Sequence, residues 1–326
     1  MDFNDIIGHE KIIESLKSAI RNNSVSHSYL FEGPKSIGKE KLAKTFAKTL
    51  LCQKGGDSPC NICPSCMKIE SGNHPDFYME YPDKDSFKKE QIEDIQRTMR
   101  KIPLEANRKI YILDNVDKMT QQAQNSFLKT LEEPPAYAII ILLATNSYSL
   151  LPTIVSRCQT VKFTPIERKR IEEALVNNYN RSEEQARFIA SFSNGIIGKA
   201  IELSSSDEFR LLRDGIIEKL DTVVNGDKLK VFSVSEFFEQ NKEHIDEIMD
   251  IILLWYRDLL IYKETRNIDF MINKDKVNLI SNQCQKLSKQ RIMDILDVAR
   301  RTKEDIHSNV NFQLAIEVML LNIQEV

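Results

Sequence analysis

The stretch SYLFEGPKSIGKEKLAKTF, residues 28–46, places a glycine-containing loop between a β-rich run and a helical run. The loop follows the phosphate-binding pattern G-x-x-x-x-G-K-[ST] at Gly33, Gly38 and Lys39, but it has Glu40 where a magnesium-binding hydroxyl belongs. In such loops, backbone amides and the helix N-terminus surround the phosphates, and the lysine reaches the outer ones. A carboxylate at this position either repels the polyphosphate of a nucleotide or coordinates the metal with a geometry different from that of the usual hydroxyl. The stretch therefore predicts a strand–loop–helix nucleotide pocket that is impaired at its last position.

β-rich runs and helical patterns alternate through the first half of the chain. The runs at residues 28–33, 109–115 and 138–146 are apolar enough for strands that are buried on both faces. Strands that alternate with helices indicate a largely parallel sheet covered on both sides. The fold class predicted for this half is α/β, with a phosphate-binding loop.

The β signal stops after Pro165, and helical patterns follow. Candidate helices cover residues 166–179, 183–193, 207–223, 242–263, 274–286 and 289–305. SSSD at 204–207 is typical of a break that contains a helix cap. We therefore expect an α/β domain over residues 1–165, a small helical domain over 166–206 and an all-helical C-terminal domain over 207–326.

The bulk composition limits the class of protein. The chain has 326 residues and a formal net charge of -3, which argues against a protein that is basic overall. Contact with nucleic acid then requires a local basic patch or a partner. The sequence lacks an apolar run long enough to span a bilayer and a start that resembles a signal peptide. A cytoplasmic location with no membrane contact is expected.

Four of the six cysteines are crowded into residues 52–66 with the spacing C-x7-C-x2-C-x2-C. They are Cys52, Cys60, Cys63 and Cys66. In a reducing compartment this pattern predicts a metal site, with tetrahedral zinc as the first choice and an iron–sulfur cluster as the second. Four protein ligands leave no position for water, so the zinc is expected to be structural. His74 could replace one ligand, although a histidine beside Pro75 is more often a loop residue.

A second acidic element, KIYILDNVDK, begins at residue 109. Asp114 ends its strand, where a metal-binding aspartate belongs, but the next residue is Asn115 where a glutamate usually acts as general base. An amide can orient water but cannot take its proton. Asn146, at the end of the following strand, is a candidate to face a γ-phosphate. The pocket is thus predicted to keep its shape and to lose most of its chemistry.

Arg157 follows the sheet in the sequence VSRC. Its side chain could pair with a carboxylate of its own domain. It could instead project to a neighbouring subunit and stabilise phosphate charge there, as an arginine finger does. Sequence spacing does not separate these two alternatives.

Several stretches resemble bacterial clamp-loader subunits of the AAA+ class over about residues 1–200. They are HSYLFEGPKSIGKEKLA, LDNVDKMTQQAQNSFLKTLEEPP, LLATN and LLPTIVSRCQ, with the four cysteines between them. LEEPP followed by SRC is specific to this group, and the resemblance beyond residue 200 is mainly architectural. It implies an AAA+ domain with an inserted zinc module, a helical lid and a helical collar that joins subunits.

The resemblance also implies a role within a DNA polymerase III holoenzyme. Motor subunits of the family are expected to keep a threonine at the end of the loop, an acidic pair after the second strand and a nucleotide-sensing arginine. This chain has Glu40, Asn115 and Gly198 at those places. It is therefore expected to be a non-hydrolysing subunit with weak or absent ATP and ADP binding, and Arg157 would serve a neighbour in trans.

The implied partners are the gamma/tau and delta subunits, the sliding clamp and primed DNA. The net charge predicts little DNA affinity for this chain alone. Two rival functions stay open: an active ATPase motor subunit of the same loader, and a zinc-dependent nucleic-acid-binding module. The pair Glu40 and Asn115 argues against the motor. The acidic balance, and the absence of aromatic residues interleaved with basic ones around the cysteines, argue against the module.

Overall fold

The computed structural model describes residues 1–226, 228–308 and 310–324. The chain forms two compact units. The first comprises Met1–Ile171 and Gly195–Lys199, and the second comprises Glu172–Asn194 and Ala200–Val326. Within the described residues, no helix combines the length and the apolarity that a membrane crossing needs.

The first unit is built on a five-stranded sheet in the order β2-β3-β4-β1-β5. The strands are β1 Ser28–Glu32, β2 Phe77–Glu80, β3 Lys109–Leu113, β4 Ala138–Ala144 and β5 Gln159–Lys162. Every neighbouring pair is parallel. The helices that accompany the sheet are α1 Glu10–Arg21, α2 Lys39–Leu50, α3 Pro64–Glu70, α4 Lys89–Met99, α5 Gln121–Glu132 and α6 Pro152–Val155. A further helix, α7 Arg168–Tyr179, begins in the first unit and continues in the second.

The three central strands are buried on both faces, as their apolar runs predict. Alternate residues of β1 enter different cores: Tyr29 and Phe31 pack with α1 and α2, and Leu30 packs with the core beneath α4 and α5. The parallel α/β sheet is therefore confirmed. β2 was not anticipated, because four residues at the sheet edge give too short an apolar pattern to separate from a loop.

The second unit is helical. Its helices are α8 Glu183–Phe192, α9 Ile197–Ser205, which begins in the first unit, α10 Asp207–Asn225, α11 Lys228–Gln240, α12 Ile245–Thr265, α13 Val277–Lys286, α14 Lys289–His307 and α15 Phe312–Gln324. Ser206 caps α10 by accepting from the N–H of Phe209, which confirms the break predicted there. α9, α11 and α15 were not among the predicted helices. The separate domain predicted over residues 166–206 stays a prediction.

Candidate functional site

The predicted phosphate-binding loop connects β1 to α2 at the carboxyl edge of the sheet. Gly38 precedes α2 with φ of +109°, a conformation that favours glycine. The Nζ atom of Lys39 donates to the carbonyl oxygens of Gly33 at 2.6 Å and Pro34 at 2.8 Å. Only 8% of Lys39 is exposed, and burial lowers the pKa of its amine. The lysine that would reach phosphate therefore donates to its own loop.

Glu40 lies in the first turn of α2 and is directed along the helix surface. Its carboxylate pairs with the Nζ atom of Lys44 at 2.5 Å and accepts from the hydroxyl of Tyr81 at 3.3 Å. An exposed pair at this spacing contributes about 0.3–0.5 kcal/mol. The carboxylate of Glu40 is thus paired with a lysine on α2 and hydrogen-bonded to a tyrosine that follows β2.

The carboxylate of Asp114 lies at the end of β3. Burial raises its pKa, and the carboxylate of Glu40 acts in the same direction. The side-chain amide of Asn115 donates to the Asp114 carboxylate at 2.8 Å. An amide in this place holds the carboxylate, and it has no basic group to activate water. The contact supports the predicted loss of the general base.

Two further polar residues at this edge have structural roles. The carboxylate of Asp117 accepts from the N–H of Thr145 at 3.1 Å and from its hydroxyl at 2.8 Å, which joins the ends of β3 and β4. Asn146 is exposed, and its Oδ1 atom accepts from the N–H of Tyr148 at 3.2 Å. Asn146 thus stabilises its own turn, and its predicted contact with a γ-phosphate stays a prediction.

The start of α9 closes over the loop. The N–H of Gly198 donates to the carbonyl oxygen of Ser36 at 2.9 Å. A Cβ atom on Gly198 would lie 2.6 Å from that oxygen, a separation that Cβ atoms essentially never show. From the other side, the Nε2 atom of His9 lies 3.1 Å from the carbonyl oxygen of Ile37. The carbonyl oxygens of Ser36 and Ile37 are therefore contacted by other parts of the chain.

Replacing Gly198 with alanine is expected to destabilise the first unit by about 1–3 kcal/mol, because the new methyl group overlaps the backbone of Ser36. Gly215→Ala is the matched control. A Cβ there meets only the ring of Phe237 at 3.5 Å, and alanine favours a helix interior. Thermal and denaturant unfolding of both variants measure the difference. Equal stability for Gly198→Ala and the wild type would contradict the closed loop.

Arg157 lies just after α6 and pairs within its own unit. Its Nη2 atom donates to the carboxylate of Glu132 at 2.6 Å, and its Nη1 atom donates to the carbonyl oxygen of Thr153 at 2.8 Å. The side chain is 33% exposed and that of Glu132 is 46% exposed. In the chain by itself, the first of the two alternatives for Arg157 is therefore observed. An exposed pair is weak, typically below about 1 kcal/mol, so an anion from outside can compete for the guanidinium.

The four predicted ligand cysteines lie together. The Sγ atoms of Cys52, Cys60, Cys63 and Cys66 are all within 4.8 Å of one another. A tetrahedral zinc site with Zn–S bonds of about 2.3 Å separates its sulfurs by about 3.8 Å, so a small inward shift completes it. The N–H of Ile62 points at the Cys60 sulfur and lowers its pKa to about 6, which favours the thiolate. The residues present fit zinc.

His74 is excluded as a zinc ligand by its own contacts. The Ser65 hydroxyl donates to the carbonyl oxygen of Leu51 at 2.6 Å, so it accepts from the Nε2 atom of His74 at 3.0 Å. The Nδ1 atom accepts from the N–H of Asp76 at 3.1 Å. Both ring nitrogens are used, and burial lowers the pKa of the ring, so His74 is a neutral structural residue.

Asp76 was missed by sequence reasoning. It is fully buried just before β2, and its carboxylate accepts from the N–H groups of Leu104, Glu105 and Ala106 at 2.7–2.9 Å. Burial opposes the charge, but the three donors together lower the pKa of Asp76 below its usual range. No signal in the surrounding sequence marks a carboxylate that holds a loop 28 residues away.

Asp76→Asn is expected to cost about 2–3 kcal/mol of unfolding free energy at pH 7, because an amide replaces a charged acceptor of three N–H groups. The folded-state pKa is lowered, so this stabilisation is full above the unfolded value of about 3.9 and is lost as pH falls through the folded value. Denaturant unfolding at a series of pH values from neutral to acidic measures the unfolding free energies of variant and wild type, which are expected to converge as the pH falls. Asp94→Asn, at an exposed position of α4, is the control.

A loop of this type at the end of β1, an acidic side chain at the end of β3 and a parallel sheet define a protein of the phosphate-binding-loop class. Two family models match: "DNA polymerase III, delta subunit" over residues 8–167 and "DNA polymerase III, delta subunit, C terminal" over residues 209–325. The DNA polymerase III subunit delta′ of Bacillus subtilis is 36% identical, covering 97% of this chain and 96% of that protein. The chain belongs to the delta′ family of DNA polymerase III subunits.

Two further proteins are similar to this chain. Subunit tau of Bacillus subtilis is 30% identical, covering 96% of this chain but 60% of that protein. Among solved structures, a gamma-subunit-related protein of Thermotoga maritima aligns with 18% identity and a TM-score of 0.39, over 96% of this chain and 98% of that one.

Proposed function

We propose that this chain is a non-hydrolysing subunit of the sliding-clamp loader of DNA polymerase III, and that it assists its neighbours' ATP hydrolysis through Arg157. The observation that carries the first half is the internal use of the nucleotide pocket. Lys39 donates to two carbonyl oxygens of its own loop, and Gly198 of α9 donates to a third. The amine of Lys39 would have to leave its two carbonyl partners before it could reach a phosphate.

Three substitutions remove the chemistry that a bound nucleotide would need. Glu40 supplies a carboxylate in place of the magnesium-binding hydroxyl, Asn115 replaces the base, and Gly198 replaces a cation. Asp114 remains, but its raised pKa reflects a buried carboxyl without a cation at bonding distance among the described residues. ATP and ADP binding is accordingly weak or absent. Gly33, Gly38, Asp114 and Asn146 are remnants of the pocket in this proposal.

Arg157 is the group that acts on a neighbour. It lies at a partly exposed position, and the acceptors that hold it are one exposed carboxylate and one backbone oxygen. A γ-phosphate carries more charge than a single carboxylate and offers bidentate geometry, so it can replace Glu132 as the partner of the guanidinium. The neighbour in this proposal is a gamma/tau-type ATPase subunit.

The remaining parts have supporting roles in the same assembly. Residues 207–326 supply a helical collar, and the clamp, the delta subunit and primed DNA are reached within the complex. The cysteine cluster holds structural zinc and fixes the excursion of residues 52–66. Domain boundaries at 165 and 206 complete the AAA+, lid and collar assignment.

The test is DNA-stimulated ATP hydrolysis by a loader reconstituted with this chain. Substitution of Arg157 is expected to slow turnover, and substitution of Lys39 is expected to leave it unchanged. The active-motor alternative predicts the reverse, since its own lysine would then bind ATP. The zinc-module alternative predicts tight DNA binding by the isolated chain at physiological salt, which filter binding measures.

A further inference from the structure

β2 lies at one edge of the sheet, with only β3 beside it. The N–H of Ile110 donates to the carbonyl oxygen of Asp76, and the N–H of Asp114 donates to that of Glu80. In a parallel ladder, alternate residues face the same neighbour. Residues 76, 78 and 80 therefore direct their backbone groups to β3, and Phe77 and Met79 direct theirs outward.

The outward backbone groups are only partly used. The N–H of Phe77 donates to the carbonyl oxygen of His74. For the carbonyl oxygen of Phe77 and for the N–H and carbonyl oxygen of Met79, the described part of the chain supplies no hydrogen-bond partner. These groups are an acceptor, a donor and a second acceptor in order along the strand edge. An added parallel or antiparallel strand needs such a series to form main-chain hydrogen bonds.

A groove of 630 Å³ runs beside this edge. The side chains of Phe77 and Met79 point to this side of the sheet, where they pack against the core beneath α1 and α2. The groove is lined by Met1, Lys44, Ile69, Glu70, Gly72 and residues 77–81. A strand paired with β2 would direct every second side chain into this groove, where the apolar side chains of Ile69, Phe77 and Met79 lie beside the charged Lys44 and Glu70.

The opposite edge of the sheet, formed by β5, exposes polar and charged side chains instead of apolar ones. β5 reads QTVK, and Gln159, Thr160 and Lys162 are exposed. A lysine and polar side chains on an edge strand discourage pairing with another chain. β2 reads FYME and carries no lysine or proline within the strand. Of the two edges, only β2 combines apolar side chains, free backbone groups and a groove.

Glu80 supplies a charge at the end of the strand. Burial raises the pKa of its carboxyl, and the nearby carboxylate of Asp83 raises it further. Among the described residues, no cation pairs with this carboxylate and no donor bonds to it. A lysine or arginine brought beside Glu80 would favour the ionised form of this carboxyl and gain a charge-assisted hydrogen bond.

We propose that the free edge of β2 binds an extended segment of a partner protein as a sixth strand. The segment has apolar side chains at alternate positions, which enter the groove, and a lysine or arginine beside Glu80. Main-chain hydrogen bonds to Phe77 and Met79 supply affinity, and the groove and Glu80 supply specificity. This surface lies apart from Arg157, so it does not depend on the function proposed above.

The test selects random decapeptides displayed on phage against the full chain and measures them on two variants. Met79→Pro removes the outward N–H, and the ladder to β3 is kept because that N–H takes no part in it. Met79→Ala keeps the N–H and shortens the side chain. Selected peptides are expected to alternate in polarity, to contain lysine or arginine, and to lose at least about tenfold in affinity on Met79→Pro. Met79→Ala is expected to cost less.

A second measurement decides the outcome even if Met79→Pro fails to fold. Single N-methyl groups are placed in turn along a selected peptide, and binding to the wild-type chain is measured. Strand addition predicts that loss of affinity alternates with position, because only every second N–H of the peptide faces β2. Uniform tolerance of N-methylation, equal affinity for Met79→Pro, or failure to select any peptide overturns the proposal.

Discussion

Arg157→Ala is expected to slow DNA-stimulated ATP hydrolysis by about a thousandfold at the one site that this chain serves in a reconstituted loader. The physical reason is the loss of a delocalised cation placed to stabilise charge on the transferring phosphate. Total turnover is expected to fall less, because under this proposal the loader's other ATPase sites are served by arginines of other subunits. Steady-state rates, with single-turnover measurements to resolve the affected site, give the size of the effect.

Lys39→Ala in the same chain is the matched control. Its amine donates to Gly33 and Pro34, and under the proposed function the pocket holds no nucleotide, so removing the amine takes away only contacts within the loop. Loader turnover is expected to stay near the wild-type rate. If Lys39→Ala removed a large share of turnover while Arg157→Ala had no effect, the chain would be a motor subunit. That result would mean that ATP displaces the internal contacts of the loop.

Removal of zinc is expected to have a large effect on the stability of the segment that carries the four cysteines. Structural zinc contributes about 10–16 kcal/mol of apparent binding free energy in small zinc domains. One zinc per chain is expected, and its removal by a strong chelator or by Cys63→Ser should unfold the excursion of residues 52–66. Metal analysis measures the stoichiometry, and limited proteolysis followed by mass spectrometry locates new cleavage sites within that range.

Cys158→Ser is the control for the zinc experiment. Cys158 lies away from the four clustered thiols, so it is not placed to share their metal, and burial raises the pKa of its thiol to about 12. The variant should retain one zinc and the wild-type cleavage pattern. If metal analysis found iron instead of zinc, and the protein absorbed visible light, the iron–sulfur cluster would be the correct interpretation of the four cysteines. A metal-free chain that is fully protected at residues 52–66 would contradict a structural metal.

The sequence predicts the central sheet well because its signals are local. β1, β3 and β4 are continuous apolar runs, and such runs form strands covered on both faces. β2 fails this test since its four residues are half-buried at an edge. α11 has β-branched and aromatic residues within it, and tertiary packing decides its helical state against that propensity.

The site is predictable to the extent that it depends on residue identity. The spacing of the cysteines is enough to predict their cluster, and the positions of Glu40 and Asn115 indicate lost chemistry. The pairing of Arg157 with Glu132 depends on how α5 and α6 pack, which no spacing reveals. The inward turn of Lys39 is likewise a choice of rotamer among several that the sequence allows.

The hydrogen bond from Gly198 to Ser36 ties the start of α9 to the loop without any ligand. A ligand shifts a conformational equilibrium only by the difference in its affinity for the two states. This contact forms in the chain without nucleotide, so it holds the loop and the start of α9 together at any ATP concentration for as long as the pocket stays empty. If the pocket binds no nucleotide, as proposed, it contributes no coupling energy between ATP and the rest of the assembly, and this subunit keeps one conformation while nucleotide-binding subunits change theirs.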